Sequence, residues 1–183
     1  HTPFPKQMAF LLLGQQQALY GGAAGGAKSD TLLMAALQYV DIPGYAALII
    51  RRNITDLKLP GNLLDRANSW LKGRPEIKFD GSNHTFYFPT TRLNGLPGEP
   101  AKLTFGFLSK ERSLDRYKGG EFQFIAFDEL TQFSEAEYTY LISRLRKPLC
   151  PFHGIKVDYT CGDCIQLNSV PVRVRSATNP GDV

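Results

Sequence analysis

Tyr20-Gly21-Gly22-Ala23-Ala24-Gly25-Gly26-Ala27-Lys28-Ser29-Asp30-Thr31 decides the reading of this chain. A short apolar run passes through four glycines into a Lys-Ser pair that opens an amphipathic segment. Glycines let successive backbone N–H groups turn toward one anion, and the helix N-terminus beyond them adds the positive end of a dipole. Lys28 supplies a mobile charge for terminal phosphates, and Ser29 a hydroxyl for a magnesium ion. The spacing Gly22-x4-Ala27-Lys28-Ser29 follows G-x-x-x-x-G-K-[ST], except that Ala27 stands where glycine is expected. If that position needs a left-handed backbone, an L-residue there costs roughly 1 to 2 kcal/mol. The competing reading is a plain glycine-rich turn between a strand and a helix.

Working outward, the 183 residues suit one domain, with an apolar fraction ample for a core. Lysine and arginine number 21 against 17 aspartates and glutamates, a mild basic excess that permits a polyanionic partner without demanding one. No run reaches the roughly 18 apolar residues of a membrane span, and no signal-peptide pattern opens the chain, so a soluble intracellular setting is expected. Opening on His1 and stopping at Val183 just after a motif, the sequence reads as an excised domain.

Strands and helices alternate along the chain. Residues 18–21 read as a strand entering the loop, and Leu32, Leu33, Ala36, Leu37 and Val40 share a helical face after it. The continuous apolar run 45–50 predicts a strand buried on both faces of a parallel sheet. Leu63, Leu64, Ala67, Trp70 and Leu71 recur at helical spacing. Residues 78–89 and 101–108 are expected to pair as a hairpin, with the turn at 94–98 between them. Residues 122–127 form another apolar strand, 134–146 a helix with Ser134 and Glu137 as a capping box, and 170–175 the last strand. The expectation is an α/β domain around a largely parallel sheet whose ligand lies at the carboxyl ends of the strands.

The apolar run 122–127 ends in Asp128 and Glu129. An aspartate there can hold the magnesium that Ser29 binds, and the neighbouring glutamate can polarise an attacking water. Alone, such a pair is an ordinary solvated strand end; with the Lys-Ser loop upstream it implies hydrolysis. A separate constellation is Cys150-x2-His153, then seven residues, then Cys161-x2-Cys164. Two ligand pairs, each on a tight turn, suit a tetrahedral Cys3His zinc site, whereas a disulfide would leave one of the three cysteines unpaired. With four protein ligands the zinc is structural, within an insert at 146–169. Lys147 and Lys156 keep open a nucleic-acid contact there.

The stretches at 3–11, 21–30, 49–57, 124–138 and 172–181 together resemble the ATPase domain of tailed-phage terminase large subunits over nearly the whole chain. The β-hairpin elaboration and the small zinc-binding insert are read from the residues themselves, and the insert is not a general terminase feature. The resemblance implies a P-loop NTPase of the ASCE type, with a central mostly parallel sheet flanked by helices. It implies that Gln7 reads adenine, and that Gly22, Ala23, Ala24, Gly25, Gly26, Ala27, Lys28, Ser29 and Asp30 form the Walker A nucleotide cradle. Asp128 and Glu129 then correspond to Walker B, with Ser29 and Asp128 on magnesium and Glu129 aligning the water. Thr178 and Asn179 belong to the coupling motif that senses the γ-phosphate. The implied protein is an ATP-driven motor moving double-stranded DNA into a procapsid in the cytoplasm of an infected or lysogenic host. Its implied partners are a terminase small subunit and a portal protein, its active form a homo-oligomeric ring without membrane contact, and a nuclease domain is expected beyond Val183.

Some terminases carry an arginine inside the Walker A loop; Ala23 and Ala24 exclude that source here. Arg116 is the first candidate for the transition-state charge, reaching a neighbouring subunit, with Lys118 close behind and Arg51 and Arg52 as the other option. Two further classes stay open. A helicase-like ATPase fits the Ser-Ala-Thr sequence at 176–178, although Leu130 and Thr131 after the acids argue against it. A nucleotide-binding scaffold with weak turnover fits Ala27.

Overall fold

The computed structural model describes residues 2–22, 27–55, 59–109, 111–154 and 156–179. Its elements in chain order are α1 (Pro5–Leu11), β1 (Gln17–Gly21), α2 (Lys28–Ala36), β2 (Ala46–Arg51), α3 (Leu63–Leu71), β3 (Lys78–Asp80), β4 (Thr85–Phe88) and β5 (Ala101–Phe107). A 3-10 helix at Glu111–Tyr117 precedes β6 (Phe124–Asp128), and α4 (Glu135–Ile142), α5 (Gly162–Asn168) and β7 (Arg173–Thr178) complete the chain.

One seven-stranded sheet runs in the order β1-β7-β6-β2-β5-β4-β3. The first five strands in that order are parallel, and β4 and β3 are antiparallel additions at one edge. The apolar runs explain the centre. Ala47, Leu48, Ile49 and Ile50 of β2 and Ile125, Ala126 and Phe127 of β6 are fully buried, as strands covered on both faces must be. One apolar cluster packs α1, α2 and α3 against one face; a second packs α4 and the 3-10 helix against the other. The predicted capping box of α4 is present, Ser134 Oγ accepting from Glu137 N while Glu137 takes the Ser134 N–H. Arg175 is 1% exposed inside β7, and its guanidinium donates to the carbonyls of Leu13, Gln15 and Val174. It thereby ties the loop before β1 to the sheet, a buried cation satisfied by backbone dipoles.

Two expected boundaries differ. Residues 78–89 are not one strand but a hairpin of their own, because Asp80 Oδ1 accepts from the backbone N–H of Ser82 and Asn83 and folds the chain back at residues 81–84. The final strand starts three residues later than expected and runs to Thr178, so Thr178 closes the strand rather than following it. In addition α2 stops at Ala36, its last turn tightened by the Leu37 N–H reaching both Leu33 and Met34 carbonyls, and Val40 lies in the turns beyond.

Candidate functional site

β7 lies between β1 and β6, so the glycine-rich loop and the acid pair are not on neighbouring strands. They meet because the register is level. Gly21 pairs with Thr178 on one side of β7, and Asp128 pairs with Ala177 on the other. The carboxyl ends of three parallel strands therefore open into one place. There Ala27, Lys28, Ser29, Asp30, Arg66, Asp128, Glu129, Ala177, Thr178 and Asn179 line a cavity of about 400 Å³.

On the loop side, Ala27 takes the left-handed conformation (φ 51°, ψ 32°) and α2 begins at Lys28. The strain anticipated for an L-residue at this position is thus present, and a hydrogen-bond clasp holds it. Thr31 Oγ1 donates to the Ala27 carbonyl at 2.9 Å, and Gln7 Nε2 reaches both that carbonyl at 3.2 Å and Thr31 Oγ1 at 2.9 Å. Gln7 Oε1 accepts the Phe4 N–H at 2.8 Å, and the residue is 1% exposed. Gln7, expected to read an adenine edge, thus has its NH2 group on the loop and α2 and its oxygen on the Phe4 N–H, and it does not line the cavity. Lys28 Nζ donates to the Gly22 carbonyl at 2.9 Å, across the mouth of the loop. Ala23, Ala24, Gly25 and Gly26 lie outside the described residues.

On the acid side, Ser29 Oγ donates to both oxygens of Asp128, at 3.0 and 3.1 Å. Arg51, the last residue of β2, places Nε 2.7 Å from Asp128 Oδ2 and Nη2 3.5 Å from Glu129 Oε1. Asp128 is 2% exposed, so its charge needs these partners. A hydroxyl and a carboxylate brought this close are hard oxygen donors that fit a magnesium ion. Glu129 has a left-handed backbone (φ 60°, ψ 63°) and accepts a hydrogen bond from Gln132 Nε2. Among the described residues three non-glycines have positive φ, and two of them, Ala27 and Glu129, line this cavity. Backbone strain of this kind concentrates where a site dictates side-chain placement.

Arg66 is the cavity residue that the sequence reading missed. Its Nε donates to the Gly61 carbonyl at 2.6 Å and its Nη1 lies 2.6 Å from Asp30 Oδ1. The guanidinium is thus placed on the wall by two contacts, leaving Nη2 with no hydrogen bond among the described residues. Nothing in Leu64-Asp65-Arg66-Ala67 distinguishes this arginine from an ordinary helix-surface residue; only α3 packing on α2 brings it to the loop. Arg116 takes another position. It is exposed, stacks its guanidinium 4.4 Å over the Phe107 ring at the carboxyl end of β5, and does not line the cavity. Arg52 pairs with Glu137 at 2.6 Å and holds α4 against the end of β2.

The Cys/His constellation converges elsewhere. The ligand atoms of Cys150, His153, Cys161 and Cys164 all lie within 4.8 Å of one another, an arrangement that can hold a metal ion. Burial pushes the Cys150 thiol up, but hydrogen bonds from the Phe152 and His153 backbone and from the His153 and Cys164 side chains outweigh it and bring its pKa down to about 7, whereas burial and the neighbouring thiols push Cys164 up.

Among the described residues no helix is long and apolar enough to cross a membrane. No protein-family model matches this chain, and no characterised protein matches it in sequence. Its fold nevertheless has solved counterparts. The ATPase domain of the Thermus phage P74-26 large terminase superposes with a TM-score of 0.51 at 13% identity, covering 98% of this chain and 81% of that one. The large terminase of another thermophilic bacteriophage gives a TM-score of 0.57 at 18% identity, covering 97% of this chain. In complex with ATP-gamma-S, that second terminase gives 0.53 at 16% identity over 98% of this chain. The chain spans 46% of the second terminase's length. At these identities the likeness establishes the fold alone: this chain has the α/β fold, built on a mainly parallel sheet, of phage large-terminase ATPase domains.

Proposed function

We propose that this chain is the ATP-hydrolysing motor domain of a phage terminase large subunit, driving double-stranded DNA into a procapsid. The observation that carries the reading is the level register of β1, β7 and β6, which sets Lys28, Ser29, Asp128 and Glu129 around one cavity on a terminase ATPase fold. The second of the terminases above, solved with ADP and with ATP-gamma-S, is a nucleotide binder of the same fold.

In this reading the loop amides and the N-terminus of α2 hold the phosphates. Lys28 exchanges its Gly22 carbonyl for the β and γ oxygens. Ser29 and Asp128 would hold a magnesium ion, which would supply charge neutralisation on the phosphates. Arg51 neutralises Asp128 from the end of β2 and stays within reach of Glu129. Glu129 orients the water and accepts its proton; Thr178 and Asn179, at the end of β7, sense the γ-phosphate. Arg66 provides a cation from the same chain, while Arg116, on the same sheet edge but outside the cavity, acts on a neighbouring subunit of a ring. Residues 1–183 form the P-loop domain, with 146–169 as an insert whose Cys3His cluster holds structural zinc. Portal and small-subunit partners, and a site of action in the host cytoplasm, follow from the same reading.

ATP hydrolysis by the purified chain, with and without double-stranded DNA, tests it. Magnesium-dependent turnover is expected, lost in Glu129→Gln while ATP binding persists. Binding without turnover in the wild type would leave the scaffold reading in place of the motor.

A further inference from the structure

The segment joining α4 to β7 has little core of its own: Cys150, Cys164 and Leu167 form a small cluster with Ile42 and Cys161. A stretch this poor in buried apolar surface needs another constraint to stay folded. The distances among its ligand atoms match one. Around a tetrahedral zinc, sulfur atoms stand about 3.8 Å apart and sulfur and nitrogen about 3.6 Å. Here Cys150 Sγ is 4.0 Å from Cys161 Sγ and 3.7 Å from His153 Nδ1, and Cys164 Sγ is 3.4 Å from His153 Nδ1. The other nitrogen of His153 lies 3.7 Å from Asp158 Oδ2, a carboxylate placed to orient the ring.

What surrounds the ligands is the loop between β4 and β5. Phe152, two residues after Cys150, lies under the Arg92 guanidinium at 5.3 Å. Asp163, beside Cys164, pairs with Arg92 at 3.8 Å. Gln166 Nε2, two residues beyond Cys164, donates to the Thr91 carbonyl at 3.4 Å. Gly162, beside Cys161, packs so closely that a Cβ there would stand 3.2 Å from Leu93. Each residue that grips the loop is within two positions of a ligand. The loop is a unit for gripping, closed by the Thr91–Pro97 bridge.

We propose that metal binding at Cys150, His153, Cys161 and Cys164 fastens the β4–β5 loop to the α4–β7 segment. This rests on the zinc reading above and gives that zinc a specific task. The clasp sits at the amino ends of the parallel strands, opposite the nucleotide cavity. It forms one wall of a cleft of about 500 Å³ whose other side includes Gly44 and Glu121. Residues 146–169 carry three basic and two acidic side chains, and zinc on three thiolates adds one negative charge, so the segment is neutral.

Zinc content and amide hydrogen exchange on the purified chain test this. One zinc per chain is expected. Stripping it with a zinc chelator should speed exchange of the Arg92, Gly95 and Gly98 amides, which bond within the loop, by about tenfold or more, and leave β2 and β6 protected. Restored zinc should reverse the change, and magnesium should not. In the zinc-loaded Arg92→Ala variant the Gly95 and Gly98 amides should loosen with the metal retained. Absence of zinc overturns the metal assignment itself. Bound zinc with no change in the loop on stripping leaves the metal assignment standing and overturns the clasp, as does simultaneous loss of protection in β2 and β6.

Discussion

Replacing Arg51 with methionine keeps the stem of the side chain and removes the charge that faces Asp128 and Glu129. Asp128 is 2% exposed and has Arg51 Nε at 2.7 Å and Ser29 Oγ at 3.0 Å as its close partners. Breaking a buried ion pair by deleting one partner costs about 3 to 5 kcal/mol, because the other charge is left uncompensated. Ser29 stays in place and the Arg51 side chain is itself 15% exposed, which puts the cost at the lower end, about 3 kcal/mol. For a domain of this size each kcal/mol moves the melting temperature by about 2 to 4 °C, so the nucleotide-free variant should melt about 6 to 12 °C lower. Magnesium brings back a positive charge at the same carboxylate. Magnesium-ADP should therefore stabilise the variant by more degrees than it stabilises the wild type, since the carboxylate it meets there has lost its guanidinium. Thermal denaturation followed by circular dichroism, with and without the nucleotide, measures both effects. A variant that melts with the wild type when empty, or gains less from magnesium-ADP, would refute the assignment of Arg51 as the resident counter-charge of the acid pair.

Ala27→Gly should raise stability by about 1 kcal/mol in chemical denaturation, because the backbone there is left-handed; a loss would mean that the Gln7–Thr31 clasp leaves no strain to relieve. Arg66→Ala should weaken ATP binding about tenfold in titration calorimetry, the worth of one hydrogen bond from a charged donor; unchanged affinity would remove Arg66 from the site. Gly106→Ala should destabilise by about 1 to 3 kcal/mol or more, since a Cβ would stand 2.2 Å from the Tyr117 hydroxyl that accepts the Phe107 N–H; an undisturbed melting temperature would contradict that packing. Burial works against the Glu137 carboxylate, but Ser134 and Arg52 outweigh it and hold its pKa below the ordinary value. Its contribution is therefore present above the unfolded-state value and is lost as pH falls through the folded one. Glu137→Gln should flatten the acid limb of a stability–pH profile, and an identical profile would count against the Arg52 and Ser134 contacts.

Much of the site was legible because its chemistry demands particular residues at particular spacing. Lys28, Ser29, Asp128 and Glu129 announce themselves in this way, and an alanine at the last loop position already implied a strained backbone. What escaped depends on tertiary placement. Arg66 looks like any arginine on a helix surface, and only the packing of α3 on α2 turns it toward the cavity. Gln7 carries the chemistry of an adenine reader, and the sequence did not show that its NH2 would meet Ala27 and Thr31 while its oxygen takes the Phe4 N–H. Arg51 was one of several basic candidates until the parallel pairing of β2 with β6 set it beside the acids. The fold was read correctly where apolar runs are long, as in β2 and β6. It was misread at 78–89, where the Asp80-Gly81-Ser82-Asn83 turn signal lies inside an aromatic-rich stretch. The paired spacing of the ligands in the insert was visible at once; its grip on residues 91–97 was not, because those contacts join segments far apart in the chain.

The central claim is that Lys28 and the acid pair face one bound triphosphate. Titrating ATP and magnesium into the purified chain, beside its Lys28→Ala variant, measures this most directly. The account predicts a single site in the wild type that is lost or weakened more than a hundredfold in the variant, with both proteins melting at similar temperatures. Equal binding by the two proteins, or no binding by a folded wild type, would contradict it.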